Sequence, residues 1–411
     1  MLNEKHYRGI FALDLGTTKF CLARLKPNPT GQGVMVETAN VPADGMRRGM
    51  ISDKEQAKAS LNQLIEIAEK QFQTDVRNVV VGVAGSHLKS SFVNVSTQIL
   101  NGIITFKELS TLSTLAEASV NSDTREILHV IPVGYRIDDR PVMNEPIGFN
   151  GRILHAEFFV IDSDKFYLKD IVETCNQAGL QVRRLYSEPF ASASVTIPDE
   201  YKQLGVAVAD IGGGTTDGLV FRNGKPAGVF TINVAGKLMT NDLSIGLNIS
   251  QIEAENVKIR FGIKPRPQDS MVIADIKGQE KSVSGDAVNP ILVPRVYELC
   301  ALIAQDLKPY KGVLGAGLVL TGGGADIRGI TEFFQSKLKI PVTRAKPVFE
   351  YGKSPDRDSV FEHSPHAPRF ATALGLLNLE IGHVMDSQRN QKTGRTSRYL
   401  GQFINWLKDL S

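Results

Sequence analysis

Apolar runs that end in Asp and then break into Gly and Thr occur twice along the chain. Gly9-Ile10-Phe11-Ala12-Leu13 ends at Asp14 and turns through Leu15-Gly16-Thr17-Thr18-Lys19; Val206-Ala207-Val208-Ala209 ends at Asp210 and turns through Ile211-Gly212-Gly213-Gly214-Thr215-Thr216-Asp217. Short apolar runs bounded by such residues predict strands. Each copy continues into a second strand, at 20–25 and 218–221. A turn signal follows, residues 27–33 in one copy and Asn223-Gly224 in the other, and then a third strand, at 34–39 and 227–233. The repeat therefore covers three strands, which makes chance an improbable source.

Between these blocks the apolar spacing changes to a helical period. Ala57, Leu61, Leu64, Ile65, Ala68 and Phe72 share one face, with Ser52-x-x-Glu55 as the expected capping box. A strand follows at 79–83. Roughly eighty residues then intervene before a helix at 166–178 closed by Gly179, enough for a separate α+β module. Within it the pattern predicts strands at 99–106, 127–137 and 153–161 and a helix at 109–119. The second half predicts helices at 240–247, 251–261 and 291–308 around a polar hairpin region at 264–288. A third glycine cluster, Thr321-Gly322-Gly323-Gly324-Ala325, follows the apolar run 318–320 and precedes a helix expected from Ile327. A last helix at 368–379 leads to a polar stretch at 387–397 that reads as a flexible linker.

This pattern points to phosphate chemistry. A carboxylate at a strand end, beside free amide N–H groups and hydroxyls, can hold phosphate oxygens and a hydrated Mg²⁺. Bare glycine backbone at the third cluster can approach a base or an α-phosphate, although such a cluster also serves as a plain strand-to-helix turn. No Gly-x-x-x-x-Gly-Lys-Ser/Thr is present, and no Gly-x-Gly-x-x-Gly opens a helix after a strand, so P-loop and dinucleotide folds lose their main support.

Composition narrows the class. With 411 residues, 42% hydrophobic and 22% charged, the chain can bury two or more cores as a soluble protein. The first six residues lack an apolar signal core, and no stretch is expected to span a bilayer, so a cytoplasmic location is expected. Cys21, Cys175 and Cys300 sit singly inside apolar patterns and read as buried free thiols. The seven histidines show no metal-ligand spacing; His363 and His366 lie among prolines. The formal charge of only +3 argues against nucleic acid as a partner. Residues 381–411 hold five cations against Asp386 and Asp409, 5 − 2 = +3, the whole excess. In that tail Tyr399, Leu400, Phe403, Ile404, Trp406, Leu407 and Leu410 fall within an arc of about 160° on a helix. An amphipathic helix behind a charged linker reads as a membrane-surface anchor.

The order of motifs resembles the actin-like ATPase superfamily. Asp14 to Lys19, Glu188-Pro189-Phe190-Ala191-Ser192-Ala193, Asp210 to Asp217, Thr321 to Ala325 and Ala371-Thr372-Ala373-Leu374-Gly375 are similar to its first phosphate, first connecting, second phosphate, adenosine and second connecting motifs. The implied fold is α/β, two duplicated RNase H-like halves around a nucleotide cleft. Actin and MreB carry an extra subdomain where this chain has only residues 40–51; here the insertion lies between 83 and 161. That placement, with His129-Val130-Ile131-Pro132-x-x-Tyr135, Glu145-Pro146-Ile147-Gly148-Phe149-Asn150-Gly151 and Pro294-Arg295-Val296-Tyr297-Glu298-Leu299, resembles the FtsA family of bacterial division proteins over nearly the whole chain.

The resemblance implies a domain plan: subdomain 1A at 1–83 and 162–196, an inserted 1C at 84–161, 2A at 197–235 and 312–362, and 2B at 236–311. A return helix at 363–380, a linker at 381–397 and a membrane helix at 398–411 complete it. It implies ATP and Mg²⁺ as ligands, with slow or weak hydrolysis. Asp14 and Asp210 would hold the metal through water. Thr17, Thr18 and Lys19 would face the β-phosphate and Gly213, Gly214 and Thr215 the γ-phosphate, with Gly16, Gly212 and Thr216 also at the nucleotide. Gly236, Glu255, Lys258, Gly322, Gly323 and Gly324 would line the nucleoside, although Glu255 and Lys258 could also be a solvated ion pair. Glu188 is the candidate water-orienting carboxylate. The implied partners are the FtsZ C-terminal tail, other copies in a filament, anionic inner-membrane lipids and later division proteins, at the cytoplasmic face of the membrane at the division site. Arg295 is the expected contact for the acidic FtsZ tail, or else a structural partner of Glu298. Rival readings are a PilM-like type IV pilus adaptor, which lacks such a tail helix, and a small-molecule kinase, for which no acceptor motif stands out.

Overall fold

The computed structural model describes residues 7–27, 34–120, 122–142, 145–264, 270–349 and 367–392. The chain opens with an antiparallel meander of β1 (Phe11–Leu15), β2 (Lys19–Pro27) and β3 (Val34–Pro42), pairing Leu13 with Leu22 and Ala23 with Thr38. A small ribbon, β4 (Met46–Arg47) with β5 (Met50–Ile51), leads into the helix Lys54–Phe72. That helix is capped one residue later than the sequence suggests. Asp53 accepts the Gln56 N–H at 3.0 Å, while the Ser52 hydroxyl donates to the Gly45 carbonyl at 3.0 Å. Asp competes well with Ser at this position, and Gly45 supplies Ser52 with a nearer acceptor. β6 (Asn78–Val83) then lies parallel to β1.

The insertion folds as a sheet of β7 (Lys89–Gln98), β8 (Arg125–Ile137), β9 (Arg140–Val142) and β10 (Ile153–Asp164) in the order β7-β10-β8-β9. The helix Phe106–Val120 covers one face, burying Leu112 and Ala116 against Leu154, Ala156 and Phe158. Its first strand corrects the expectation at 99–106. That run contains Asn101-Gly102, with Gly102 at φ +72°, and turns; the strand is the polar Lys-Ser-Ser-Phe-Val-Asn-Val-Ser-Thr-Gln before it. Val93 and Val95 pack on the module's core from an otherwise solvent-facing strand, so its apolar signal is weak.

β11 (Gln181–Ser187) completes the first sheet, ordered β11-β6-β1-β2-β3. The second half repeats it with β12 (Val206–Ile211), β13 (Thr216–Arg222), β14 (Lys225–Ile232), the hairpin β15 (Ser270–Ala274) and β16 (Glu280–Ser284), β17 (Gly317–Thr321) and β18 (Val342–Arg344). Its order is β14-β13-β12-β17-β18. In both sheets a three-stranded meander is extended by two parallel strands. The sequence repeat is therefore a repeat of whole sheets.

The helix Gly285–Leu307 starts earlier than expected and runs through Pro290 and Pro294. By length and apolar content the stretch Gly285–Tyr310 could cross a membrane, contrary to the expectation that none would. Val288, Leu292, Val296, Leu299 and Ile303 are instead buried in the second half's core. After β17 the third glycine cluster forms a 3-10 turn, Gly323–Asp326, before the helix Ile330–Leu338. Two helices with small residues cross between the halves, Glu188–Thr196 and Ala371–Lys392. A Cβ on Gly375 would sit 1.9 Å from the Ala191 carbonyl oxygen, so glycine permits the approach. The second of these helices continues to Lys392, with Ile381 fully buried, so the part of the expected linker from 381 to 392 is helical. The three cysteines are buried free thiols, and burial pushes Cys21 and Cys175 up to about 12.

Candidate functional site

The two Asp-Gly-Thr loops meet at the ends of β1 and β12. In the first loop the turn is tight enough that a Cβ on Gly16 would lie 2.7 Å from the Lys19 carbonyl oxygen. In the second, the Gly212 N–H donates to the Thr215 carbonyl at 3.0 Å, and the Gly236 and Lys237 N–H groups take the Gly212 and Gly213 carbonyls at 3.0 and 2.8 Å. The start of the helix Gly236–Leu247 thus fixes the loop from behind. The loops touch. A Cβ on Gly213 would fall 2.4 Å from Thr18 Cγ2, and one on Gly214 2.2 Å from Thr17 Oγ1. Side chains of one loop lie on bare backbone of the other.

Four carboxylates converge beneath this contact. Asp14 and Asp217 are buried, and Asp210 and Glu188 are partly so. Burial raises Asp14, with Lys19 offsetting part of the effect. Burial, then the Asp14 and Asp217 charges, push Asp210 up to about 7. Glu188 is raised well above the usual carboxylate range by burial and by Asp14, Asp217 and Asp210 in turn. Like charges in a dry site favour protons or a cation. Lys19 is the cation that lowers both Asp14 and Asp210, and its Nζ donates to the Arg369 carbonyl at 2.8 Å with Phe370 beneath it at 4.6 Å. Among the described residues no three His, Cys, Asp or Glu side chains are close enough to ligate a metal directly. A divalent ion held here would keep waters between itself and the carboxylates, as Mg²⁺ favours.

The residues expected to line the nucleoside lie beside the second loop. Lys258 Nζ donates to Glu255 Oε2 at 2.7 Å, Thr240 Oγ1 at 2.8 Å and the Gly236 carbonyl at 3.2 Å. The Lys258 side chain is only 9% exposed while that of Glu255 is 45% exposed, so the pair has one buried and one solvated end. Gly322, at φ +79°, lies against Asp210, where a Cβ would meet Oδ1 at 2.3 Å, and Gly324 packs on Ile211. Gly323 has open space before it.

Other expected residues lie elsewhere. Thr216 is fully buried and its hydroxyl donates to the Val234 carbonyl at 2.8 Å, which turns it away from the cleft as a residue of β13. Arg295 is engaged internally. It donates to Asp242 at 2.6 and 3.1 Å and to Glu298, so its charge is matched within the fold. Tyr399, Leu400, Phe403, Ile404, Trp406, Leu407 and Leu410, like His363 and His366, lie outside the described residues. Two residues were overlooked. Thr372 donates to Asp210 Oδ2 at 3.1 Å, and Asp217 accepts from Thr215 and Thr231 at 2.6 Å each. Both stand inside motifs already singled out, but their side-chain direction depends on tertiary packing.

Comparison with known proteins follows the same division of the chain. A family model described as "Cell division protein FtsA" matches residues 207–375, and one described as "SHS2 domain inserted in FTSA" matches residues 85–162, the inserted sheet. Cell division protein FtsA of Neisseria meningitidis is 29% identical over 383 residues, 91% of either chain. That of Escherichia coli K12 is 25% identical over all of this chain and 98% of its own, and that of Bacillus subtilis 28% over 82% and 78%. Among solved structures, a PilM-PilN type IV pilus biogenesis complex aligns with TM-score 0.63 at 18% identity, over 91% of this chain and 98% of the other. MreB5 of Spiroplasma citri bound to ADP aligns with TM-score 0.53 at 17% identity, over 92% and 98%. These structures share the actin-like ATPase fold. With both FtsA-specific segments in place and relatives matched along most of their length, the chain belongs to the FtsA family of cell division proteins, with an SHS2 domain inserted in its first half.

Proposed function

We propose that this protein binds ATP with Mg²⁺ between its two loops, assembles into filaments and tethers FtsZ to the cytoplasmic face of the inner membrane at the division septum. The observation that carries the nucleotide part is the cluster itself: Asp14, Glu188, Asp210 and Asp217 raised together under opposed Thr and Gly loops. Such a site is at odds with itself until a cation enters, and the backbone around it suits phosphates. Asp14 and Asp210 would hold Mg²⁺ through water; Gly16, Thr17, Thr18 and Lys19 would take one phosphate and Gly212 to Thr215 the next. Gly236, Glu255, Lys258 and Gly322 to Gly324 would face the nucleoside. Mg²⁺, when bound, supplies positive charge to the phosphates. Because Thr17 and Thr18 rest on Gly213 and Gly214, nucleotide entering between the loops has to part the two halves.

Membership of a division family supports the septal role. The membrane part rests on the amphipathic pattern at 398–411, and polymerisation supplies retention. A single short helix binds membrane weakly, and linked copies bind together. FtsZ would be met on the second-half insertion, where an acidic tail would have to displace Asp242 or Glu298 from Arg295. The test is vesicle flotation with FtsZ, using wild type, Trp406→Glu and a chain ending at Gln391, beside calorimetry with Mg-ATP. Wild type should float and carry FtsZ, and both variants should stay in solution with ATP affinity intact. Equal flotation of the truncated chain would refute the anchor.

A further inference from the structure

The neck of the inserted module is tied to both loops, and neither family membership nor the site's own chemistry calls for that. Gly85 is its first turn, at φ +113°. The Gly85 N–H reaches Asp217 Oδ1 at 3.4 Å, and that same oxygen accepts the Thr231 hydroxyl at 2.6 Å. Five residues on, Ser90 Oγ accepts the Val229 N–H at 3.3 Å, joining β7 to the edge strand β14. From the other side the Gly49 N–H donates to Thr17 Oγ1 at 3.2 Å, and Gly49 is packed so closely on Ala84 that a Cβ would sit 3.0 Å from the Ala84 carbonyl. The incoming and outgoing strands of the insert are themselves clasped: His87 Nδ1 lies 2.9 Å from Ser163 Oγ, and Arg125 Nη2 donates to the His87 carbonyl at 2.8 Å.

We infer that Asp217 couples occupancy of the phosphate cleft to the pose of the inserted module, through a Thr215 hydroxyl that can serve either Asp217 or a phosphate oxygen. This rests on the nucleotide reading above. A threonine hydroxyl has one proton to give. At present Thr215 gives it to Asp217 Oδ2 at 2.6 Å. A phosphate oxygen that takes that proton leaves Asp217, 4% exposed, with a buried lone pair to satisfy. Its remaining donors are Thr231 and Gly85, one in the second half's edge strand and one in the neck. The carboxylate can recover its loss only by drawing on these, so the neck and β14 shift relative to each other. Coupling of this kind is reciprocal: a partner that moves the insert must change nucleotide affinity by the same factor.

Amide hydrogen exchange of the full chain, with and without Mg-ATP, reads the neck directly in peptides covering residues 84–90 and 228–232, with calorimetry giving the affinity in parallel. Wild type should change exchange there by about fivefold or more on binding. Thr231→Val keeps every residue assigned to the nucleotide, so its affinity should hold within about threefold while the nucleotide-dependent change at the neck disappears. Asp217→Asn, which offers one acceptor oxygen in place of two, should also uncouple the neck and covers the case in which Thr231→Val disturbs β14. If wild type binds nucleotide with no change at the neck, the coupling is wrong and the cleft reading stands; if it binds none, both fall.

Discussion

The two Asp-Gly-Thr loops grow from the same three-stranded frame, yet their chemistry is opposite. The first presents side chains, Thr17, Thr18 and the ammonium of Lys19; the second presents Gly213 and Gly214 and has no cation of its own. Where they meet, the hydroxyls of one fill the space that a Cβ of the other would take. Duplication alone would have set like against like, two hydroxyl loops too bulky to approach or two glycine loops with nothing to offer. Their difference makes them complementary. The electrostatics follow: Lys19 offsets part of the burial effect on both Asp14 and Asp210, but Asp210 is further pressed by the Asp14 and Asp217 charges and rises to about 7.

The largest effect should come from removing a carboxylate from either loop. Asp210→Ala and Asp14→Ala each take away a water-mediated anchor for Mg²⁺ and leave no core cavity, so the fold should persist. Calorimetry should show Mg-ATP affinity lower by about 10–100-fold in either variant, the usual cost of losing an outer-sphere partner. If only one variant weakens binding, the two loops do not share the metal. Unaltered affinity in both would rule out the site.

A smaller effect is expected from exchanging the loops' characters. In Gly214→Ala the new methyl would sit 2.8 Å from Thr17 Cβ, an atom fixed by the backbone, so one loop must shift. Overpacking of this kind costs about 1–3 kcal/mol. Gly213→Ala meets chiefly the outer atoms of Thr18, at 2.4 and 2.7 Å, which can rotate, and should cost less. Urea unfolding of both variants, each with and without Thr17→Gly, provides the check. Recovery by Thr17→Gly should appear in Gly214→Ala alone; recovery in neither would mean that the loops do not touch in solution.

The sequence showed what repeats and what is periodic. The doubled motif announced two matching sheets, and Gln251–Phe261 emerged at the predicted bounds because its cap, Ser250, and its end, Gly262, are both local signals. What it could not show depended on partners distant in the chain. Thr215 and Thr216 are adjacent and identical in type, but strand alternation sends one hydroxyl to Asp217 and the other to the Val234 carbonyl. Arg295 looked available for an acidic peptide because Asp242, fifty-three positions away, is invisible to local reading. β7 escaped notice because most of its residues face solvent, and the helix after Ala371 ran past its expected end, with Ile381 buried in the same core cluster as Tyr7 and Ile10.

The finest distinction between the loops is one of protonation. In the folded chain Asp210 titrates near 7 rather than 3.8, so over that interval the native state holds a proton that the unfolded chain has released. The stability this group contributes is full below its unfolded value and is lost as pH climbs through the folded one. Asp210→Asn carries no such charge and lacks that loss. Thermal unfolding without nucleotide, followed from about pH 5 to pH 8, should therefore show wild type declining relative to Asp210→Asn. Asp14→Asn tests the other loop, where burial raises the pKa and Lys19 opposes it. It too should gain on wild type as pH rises, because burial raises Asp14 in the folded chain. Mg²⁺ alone should narrow the gap between wild type and Asp210→Asn at the alkaline end, because a cation favours the ionised cluster. Parallel curves for wild type and Asp210→Asn would show that the second loop's carboxylate is solvated, and the asymmetry between the loops would then lie only in their side chains and not in their charge.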